Sequence, residues 1–172
     1  MQRITINPNQ IEDKQITLTS ELQHYLCRVL RLQKGDKFIS MDGMGKWWLS
    51  QLDNTNALIL HQLIVETELP ISVTLMVALP KGNGFDDIVR CCTELGVTCI
   101  APVISDRTLL KPSSQKLSRW NRIATEAAEQ SERANVPEIL SPIAFNQSVV
   151  SFTSFEKYIC VARGDSPHLL HC

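Results

Sequence analysis

The feature that most constrains this chain is the change of rhythm at Pro70. Beyond it, apolar runs alternate with amphipathic stretches. Residues 71–79 read as a long apolar strand, followed by a Gly-rich loop and a helix over 85–95 closed by Gly96. A second apolar strand spans 99–104, a basic loop follows, then a helix over 115–134 and a third strand over 158–162. Strand and helix alternating at this spacing predict a mainly parallel sheet with crossover helices. Phe85, Ile88, Val89, Cys92 and Leu95 form the core face of the first helix. Leu117, Trp120, Ile123, Ala124, Ala127 and Ala128 form that of the second.

Before Pro70 the units are shorter. A strand from Arg3 to Ile6 meets a turn at Asn7, Pro8 and Asn9, and Ser20-Glu21-Leu22-Gln23 matches a capping box. Leu22, Tyr25, Leu26, Val29 and Leu30 then share one face, predicting a helix over 20–31. Lys34-Gly35-Asp36 stops it. Asp42-Gly43 with Gly45 reverses the chain between strands near 37–41 and 46–52, and a further strand covers 57–65. The expected fold class is therefore α/β with a β-rich, barrel-like N-terminal part, divided near residue 70.

A chain of 172 residues, 44% hydrophobic, has ample material for a packed core. Its net charge of −1 excludes chain-wide polybasic character, so any nucleic-acid site must be a local patch. The start lacks the apolar stretch of a signal peptide, and the apolar region 58–79 is broken by Glu66, Glu68 and Pro70, which predicts a soluble cytosolic protein with no membrane partner. Six cysteines without a C-x-x-C pair or a His at metal-ligand spacing predict reduced thiols and no metal site.

Three groups of residues could carry function. His24, Arg28 and Arg31, spaced i, i+4 and i+7, form a cationic ridge opposite the apolar stripe: a grip for successive phosphates, or an ordinary wet helix face. Arg119, Arg122, Glu126, Gln130 and Arg133 fall on one stripe beside the buried arc of their helix. They are either helix-stabilising pairs or the wall of a site. The loop carrying Arg107 and Lys111, with Lys116 beyond it, lies between a strand end and a helix start, as does Lys81-Gly82-Asn83-Gly84. Neither loop has Walker or dinucleotide spacing, and no Ser-His-Asp or zinc-protease motif occurs.

Taken in order, several blocks resemble the small-subunit ribosomal RNA uracil-N3 methyltransferases, the RsmE family of the SPOUT superfamily. They are HYLCRVLR (24–31), Lys34-Gly35-Asp36, Asp42-Gly43, Leu79-Pro80-Lys81-Gly82, Thr93-Glu94-Leu95-Gly96-Val97 and RWNRIATEAAEQSERANVP (119–137). The resemblance implies a PUA-like RNA-binding barrel over 1–70. It further implies a SPOUT-type α/β knot methyltransferase domain, of which 71–172 would be the N-terminal portion.

The resemblance also implies methyl transfer from S-adenosyl-L-methionine to N3 of a uridine in small-subunit ribosomal RNA, by a homodimer. His24, Arg28 and Arg31 become candidates for RNA contact in the barrel. Lys81, Arg107, Arg119, Arg122, Glu126, Gln130 and Arg133 become candidates in the catalytic domain, with no residue assigned as general base. The family's donor site resembles a deep knot built around a Gly-Pro-Glu-Gly-Gly segment, which these 172 residues do not contain. The chain by itself is therefore expected neither to bind the donor nor to form the knot-mediated dimer. The rival expectation is a free-standing RNA-binding module without catalysis.

Overall fold

The computed structural model describes residues 1–172 except 110, 111, 153–155, 162, 163, 166 and 169–172, so Lys111 and the Ala162 end of the expected third strand lie outside the described residues. The N-terminal part contains β1 (Arg3–Thr5), β2 (Ile11–Glu12), β3 (Gln15–Thr17), β4 (Lys37–Met41), β5 (Trp47–Asp53) and β6 (Asn56–Leu63). They form one sheet in the order β1-β4-β5-β6-β3-β2. β1 joins β4 in parallel and the other pairings are antiparallel. The sheet curls into a half-barrel around Ile4, Ile16, Leu26, Phe38 and Leu52.

Against this inner face packs α1 (Ser20–His24), continued by a π-helical turn over Tyr25–Val29. Two details differ from the sequence expectation. The cap is Thr19, whose Oγ1 accepts from Leu22 N at 3.2 Å. Gln23 does not close a capping box, because its amide donates outward to the Leu18 and Thr55 carbonyls. The π turn, marked by Leu30 N donating to Tyr25 O at 2.9 Å, also rotates the helix face. Leu22, Leu26, Cys27 and Leu30 face the core, while Tyr25 and Val29 are exposed.

The second part contains β7 (Thr74–Ala78), α2 (Gly84–Glu94), β8 (Cys99–Ile104), α3 (Ser114–Gln130), β9 (Glu138–Ile139), β10 (Ile143–Ala144) and α4 (Phe145–Ser151). All four strands are parallel. β7 takes one edge of β8. The other is shared by β9, opposite Cys99 and Ile100, and β10, opposite Val103 and Ile104. Residues 156–161, where the sequence predicts a third strand, form none, and Ile159 is 87% exposed. Both edges of β8 are already occupied, and residues 156–161 do not pair with the open edge of β7, so this apolar run has no strand partner.

α2 and α3 pack side by side through a core of Phe85, Val89, Trp120 and Ala124 beneath Leu79 and Ile100. Phe85 and Trp120 meet with ring centroids 4.3 Å apart. α3 stops at Gln130, four residues short of the expected Ala134. Ser131 N reaches back to Ala127 O, Glu132 adopts φ +63°, and Arg133 N bonds to Ala128 O.

That reversal joins the two parts. Gly45 N donates to Ala134 O at 3.1 Å, Val136 N to Gly43 O at 2.8 Å, and Thr5 N to Glu129 Oε1 at 2.6 Å. A separate apolar cluster of Ile39, Met41, Trp47 and Ala134 fills the contact, so β4 is buried on both faces: Phe38 inside the half-barrel, Ile39 and Met41 against the junction. Gly43 has φ +70°, and a Cβ there would lie 3.0 Å from Val136 Cγ2. Among the described residues, no helix is long and apolar enough to cross a membrane and no His, Cys, Asp and Glu cluster could hold a metal ion.

Candidate nucleic-acid interface

β7 and β8 run in parallel and each is followed by a helix, so the topology brings four chain segments to one end of the sheet. They are the C-terminal ends of both strands and the N-terminal ends of α2 and α3. At this end α/β folds commonly hold ligands. Lys81 stands exposed in the turn after β7, beside Gly82 at φ +77°. Arg107 is exposed in the turn after β8, where Thr108 Oγ1 accepts from Ser105 N at 2.9 Å.

The first turns of α3 supply the other cations. Ser113 caps the helix through Lys116 N, and burial of Trp120, Ala124, Ala127 and Ala128 leaves Arg119 and Arg122 on the outer side. Lys116 Nζ donates to Asn83 Oδ1 at 2.9 Å and Arg119 Nε to Asp86 Oδ2 at 2.8 Å. Arg119 and Arg122 line a shallow cleft with Ser114, Gln115 and Ser118. These groups make a local cationic end on a chain whose net charge is slightly negative, which suits an extended polyanion.

The rest of the predicted stripe goes elsewhere. Glu126 and Gln130 lie farther along α3, Gln130 about 16 Å from Arg119 at 1.5 Å per residue. They line a second cleft between the helices with Asp86, Asp87, Arg90 and Glu94. Arg122 Nε and Glu126 Oε1 are 3.6 Å apart, both well exposed, so that pairing is a loose i, i+4 contact.

Arg133 leaves the stripe altogether. The helix has ended before it, and its residue is 3% exposed. Its Nη2 bonds to Glu68 Oε2 at 2.5 Å, while Nη1 donates to the carbonyls of Thr93 and Val97 at 3.0 and 2.7 Å. Every guanidinium nitrogen is engaged within the fold and the side chain is buried, so Arg133 is a structural clamp withdrawn from the surface. Glu68 completes the clamp by accepting from Ala134 N and Asn135 N. Burial acts to raise the Glu68 pKa, but the Arg133 hydrogen bonds and charge and the two amides outweigh it and leave it below its ordinary value.

The ridge on the N-terminal part survives in altered form. His24 and Arg28 are exposed on the α and π turns, and Arg31 is exposed at φ +58°, where the helix has ended. No ion pair holds Arg28 or Arg31 among the described residues. The ridge caps the inner face of the half-barrel, whereas the α/β part packs on its outer face through Met41 and Trp47. The two cationic groups are therefore carried on opposite faces of one sheet.

Sequence reasoning missed Glu68, Asp86 and Glu129. Each contacts a partner more than thirty residues away, and on its own element reads as an unremarkable surface acid. The described cysteines are free, and burial raises the thiol pKa of Cys92 and Cys99, which argues against either as a nucleophile.

Comparison with known proteins gives the context for this geometry. Residues 67–170 match the RNA methyltransferase domain and residues 18–59 the RNA methyltransferase PUA domain. The ribosomal RNA small subunit methyltransferase E of Synechocystis is 49% identical over 172 residues, covering 97% of this chain and 57% of the relative. Its counterpart from Bacillus subtilis is 33% identical, covering 92% and 67%. A crystal structure of the Neisseria gonorrhoeae ribosomal RNA small subunit methyltransferase E bound to S-adenosyl methionine superposes with a TM-score of 0.81 at 30% identity, covering 90% of this chain and 66% of that one. The chain thus spans little more than half the length of the Synechocystis relative.

Proposed function

The chain belongs to the RNA methyltransferase family of ribosomal RNA small subunit methyltransferase E, and from that membership we propose that its residues form the RNA-positioning portion of such an enzyme. The reaction proposed is methyl transfer from S-adenosyl-L-methionine to N3 of a uridine in small-subunit ribosomal RNA. In this division residues 1–70 are the PUA-like unit and 71–172 belong to the methyltransferase domain. The observation that carries the proposal is the convergence of Lys81, Arg107, Lys116 and Arg119 at the ligand-binding end of parallel strands.

The chemistry gives those cations work. Uracil N3 is a weak nucleophile until it loses its proton, and the resulting charge spreads onto the flanking carbonyl oxygens. Cations fixed nearby hold the phosphates of the target strand and favour that anion. His24, Arg28 and Arg31 add a second hold on the RNA, from the other face of the half-barrel.

S-adenosyl-L-methionine, which supplies the methyl group, does not fit the residues described. An adenosyl group calls for an enclosed, largely apolar slot. The two clefts found among the described residues are open, and most of the residues that line them, on α2 and α3, are polar or charged. The proposal is that these 172 residues alone bind RNA without binding the donor. Binding of a labelled small-subunit ribosomal RNA fragment, followed by anisotropy, together with calorimetric titration of the donor, tests both halves. RNA binding that weakens with salt and no donor heat are expected; micromolar donor binding contradicts the second half.

The same open clefts favour, as a second reading, a free-standing RNA-binding module without catalysis. A methyl-transfer assay on these residues completed with a donor-binding segment separates the two readings.

A further inference from the structure

Arg119 is held differently from Arg90, Arg122 and Arg133. It donates through Nε to Asp86 Oδ2 at 2.8 Å and is half exposed, and among the described residues neither terminal amino group has a hydrogen-bond partner, which leaves the two as an unengaged fork. Arg133 has every nitrogen engaged, Arg90 directs its terminal nitrogens to Asp87 and Glu94, and Arg122 has only a 3.6 Å contact with the exposed Glu126.

The acid that holds Arg119 is itself held. Asp86 sits in the first turn of α2, its side chain 14% exposed, and its other oxygen accepts from Trp120 Nε1 at 3.0 Å. Trp120 is fully buried and packed on Phe85. One carboxylate therefore ties the Arg119 guanidinium to the buried Phe85–Trp120 pair of the helix layer. One turn earlier on α3, Asn83 holds Lys116 in the same manner.

We infer that Asp86 is a positioning residue that pre-sets the Arg119 fork for a phosphate group of the RNA. The inference rests on the proposed function, since it needs Arg119 to meet RNA. An arginine already held in its binding rotamer loses less side-chain freedom on contact than a free one. Its terminal donors match two oxygens of one phosphate. A carboxylate beside an RNA site otherwise only repels the backbone, and that opposition lets experiment separate positioning from plain electrostatics.

The test uses the full chain and a fluorescein-labelled fragment of small-subunit ribosomal RNA, with affinities read by anisotropy over a salt series. Arg119→Ala weakens binding and lowers the salt slope by about one. Arg119→Lys, which lacks the fork and Nε, loses nearly as much. Asp86→Glu, which keeps the charge and displaces it, weakens binding about three- to tenfold with little change of slope. Asp86→Asn also weakens binding, although it removes a repelling charge. In the Arg119→Ala background neither Asp86 change weakens binding further.

If Arg119→Ala binds like the parent, Arg119 does not meet RNA, and the functional reading of this end falls together with the inference. If Arg119→Ala weakens binding but Asp86→Glu is neutral or Asp86→Asn binds more tightly, only the positioning role is overturned. Should the Asp86 variants fail to melt cooperatively, Arg119→Lys decides: parent-like affinity contradicts a pre-set fork, and Ala-like affinity supports it.

Discussion

Glu68 and Glu129 are two carboxylates at one junction with opposite proton preferences. The Glu68 pKa is lowered in the fold, so the stability it contributes is present above the ordinary carboxylate range and is lost as pH falls through the lowered value. The Glu129 pKa is raised, chiefly by burial, with the neighbouring Glu126 charge adding to it against the bond from Thr5 N. Its contribution is present below the ordinary range and is lost as pH rises through the raised value. Glu129→Gln keeps an acceptor for Thr5 N and removes the buried charge. It is expected to raise the melting temperature by a few degrees at neutral pH, with the gain shrinking in acid; a lower melting temperature at neutral pH contradicts this.

For Arg133, removing one partner of a buried pair leaves the other charge uncompensated. Arg133→Met is expected to cost about 3 kcal/mol in urea unfolding. RNA affinity per folded molecule should not change, because the Arg133 guanidinium is buried and engaged within the fold. A tenfold loss of affinity at unchanged stability would return Arg133 to the RNA wall.

Among the elements, those with a long periodic signal were legible and those defined by a partner were not. β8 spans the residues that the sequence predicts, and α2 lies within one residue of its expected ends, because a buried apolar run and a 3.6-residue stripe are both written locally. β9 and β10 are two residues each, too short to carry a period, and exist because the β8 edge is there to pair with. The π turn was hidden for a different reason. Leu22, Leu26 and Leu30 keep facing the core through the wider turn, so the pattern reads as α-helix throughout.

The site divided in the same way. The placement of Lys81 and Arg107 at the sheet end was legible from their positions between strand and helix. The diversion of Arg133 depended on Glu132 taking a left-handed conformation, which its side chain does not announce. Turn glycines give the test at this scale. Gly96 closes α2 at φ +101°, and a Cβ there would come within 2.6 Å of Leu69 Cδ1. Gly96→Ala is expected to cost about 2 kcal/mol or more in chemical unfolding, from backbone and clash together. Gly82→Ala, at φ +77° with nothing within 4 Å, should cost only the backbone share, about 1 kcal/mol. Equal costs would contradict the packing of residue 69 on that turn.

Across the whole molecule, the two parts share a tightly bonded junction while much apolar surface stays uncovered. Ile71, Met76, Ile104, Phe145, Val150 and Ile159 are all exposed, and among the described residues β7 has a strand on one side only. Such a surface is prone to association. The 172-residue protein is expected to bind a hydrophobic dye and to aggregate on concentration, and a dye-silent protein that stays monomeric contradicts this.

The proposed division of labour, RNA positioning here and donor binding elsewhere in the enzyme, is tested most directly by completing the chain. These residues would be joined to the remainder of the Synechocystis relative, and methyl transfer from labelled donor to small-subunit ribosomal RNA measured, with the product nucleoside identified by mass spectrometry. The expected result is N3-methyluridine from the chimera, reduced by Arg119→Ala, and no transfer from the 172 residues alone. Transfer by the 172 residues alone, or a folded chimera that methylates another atom or none, would contradict it.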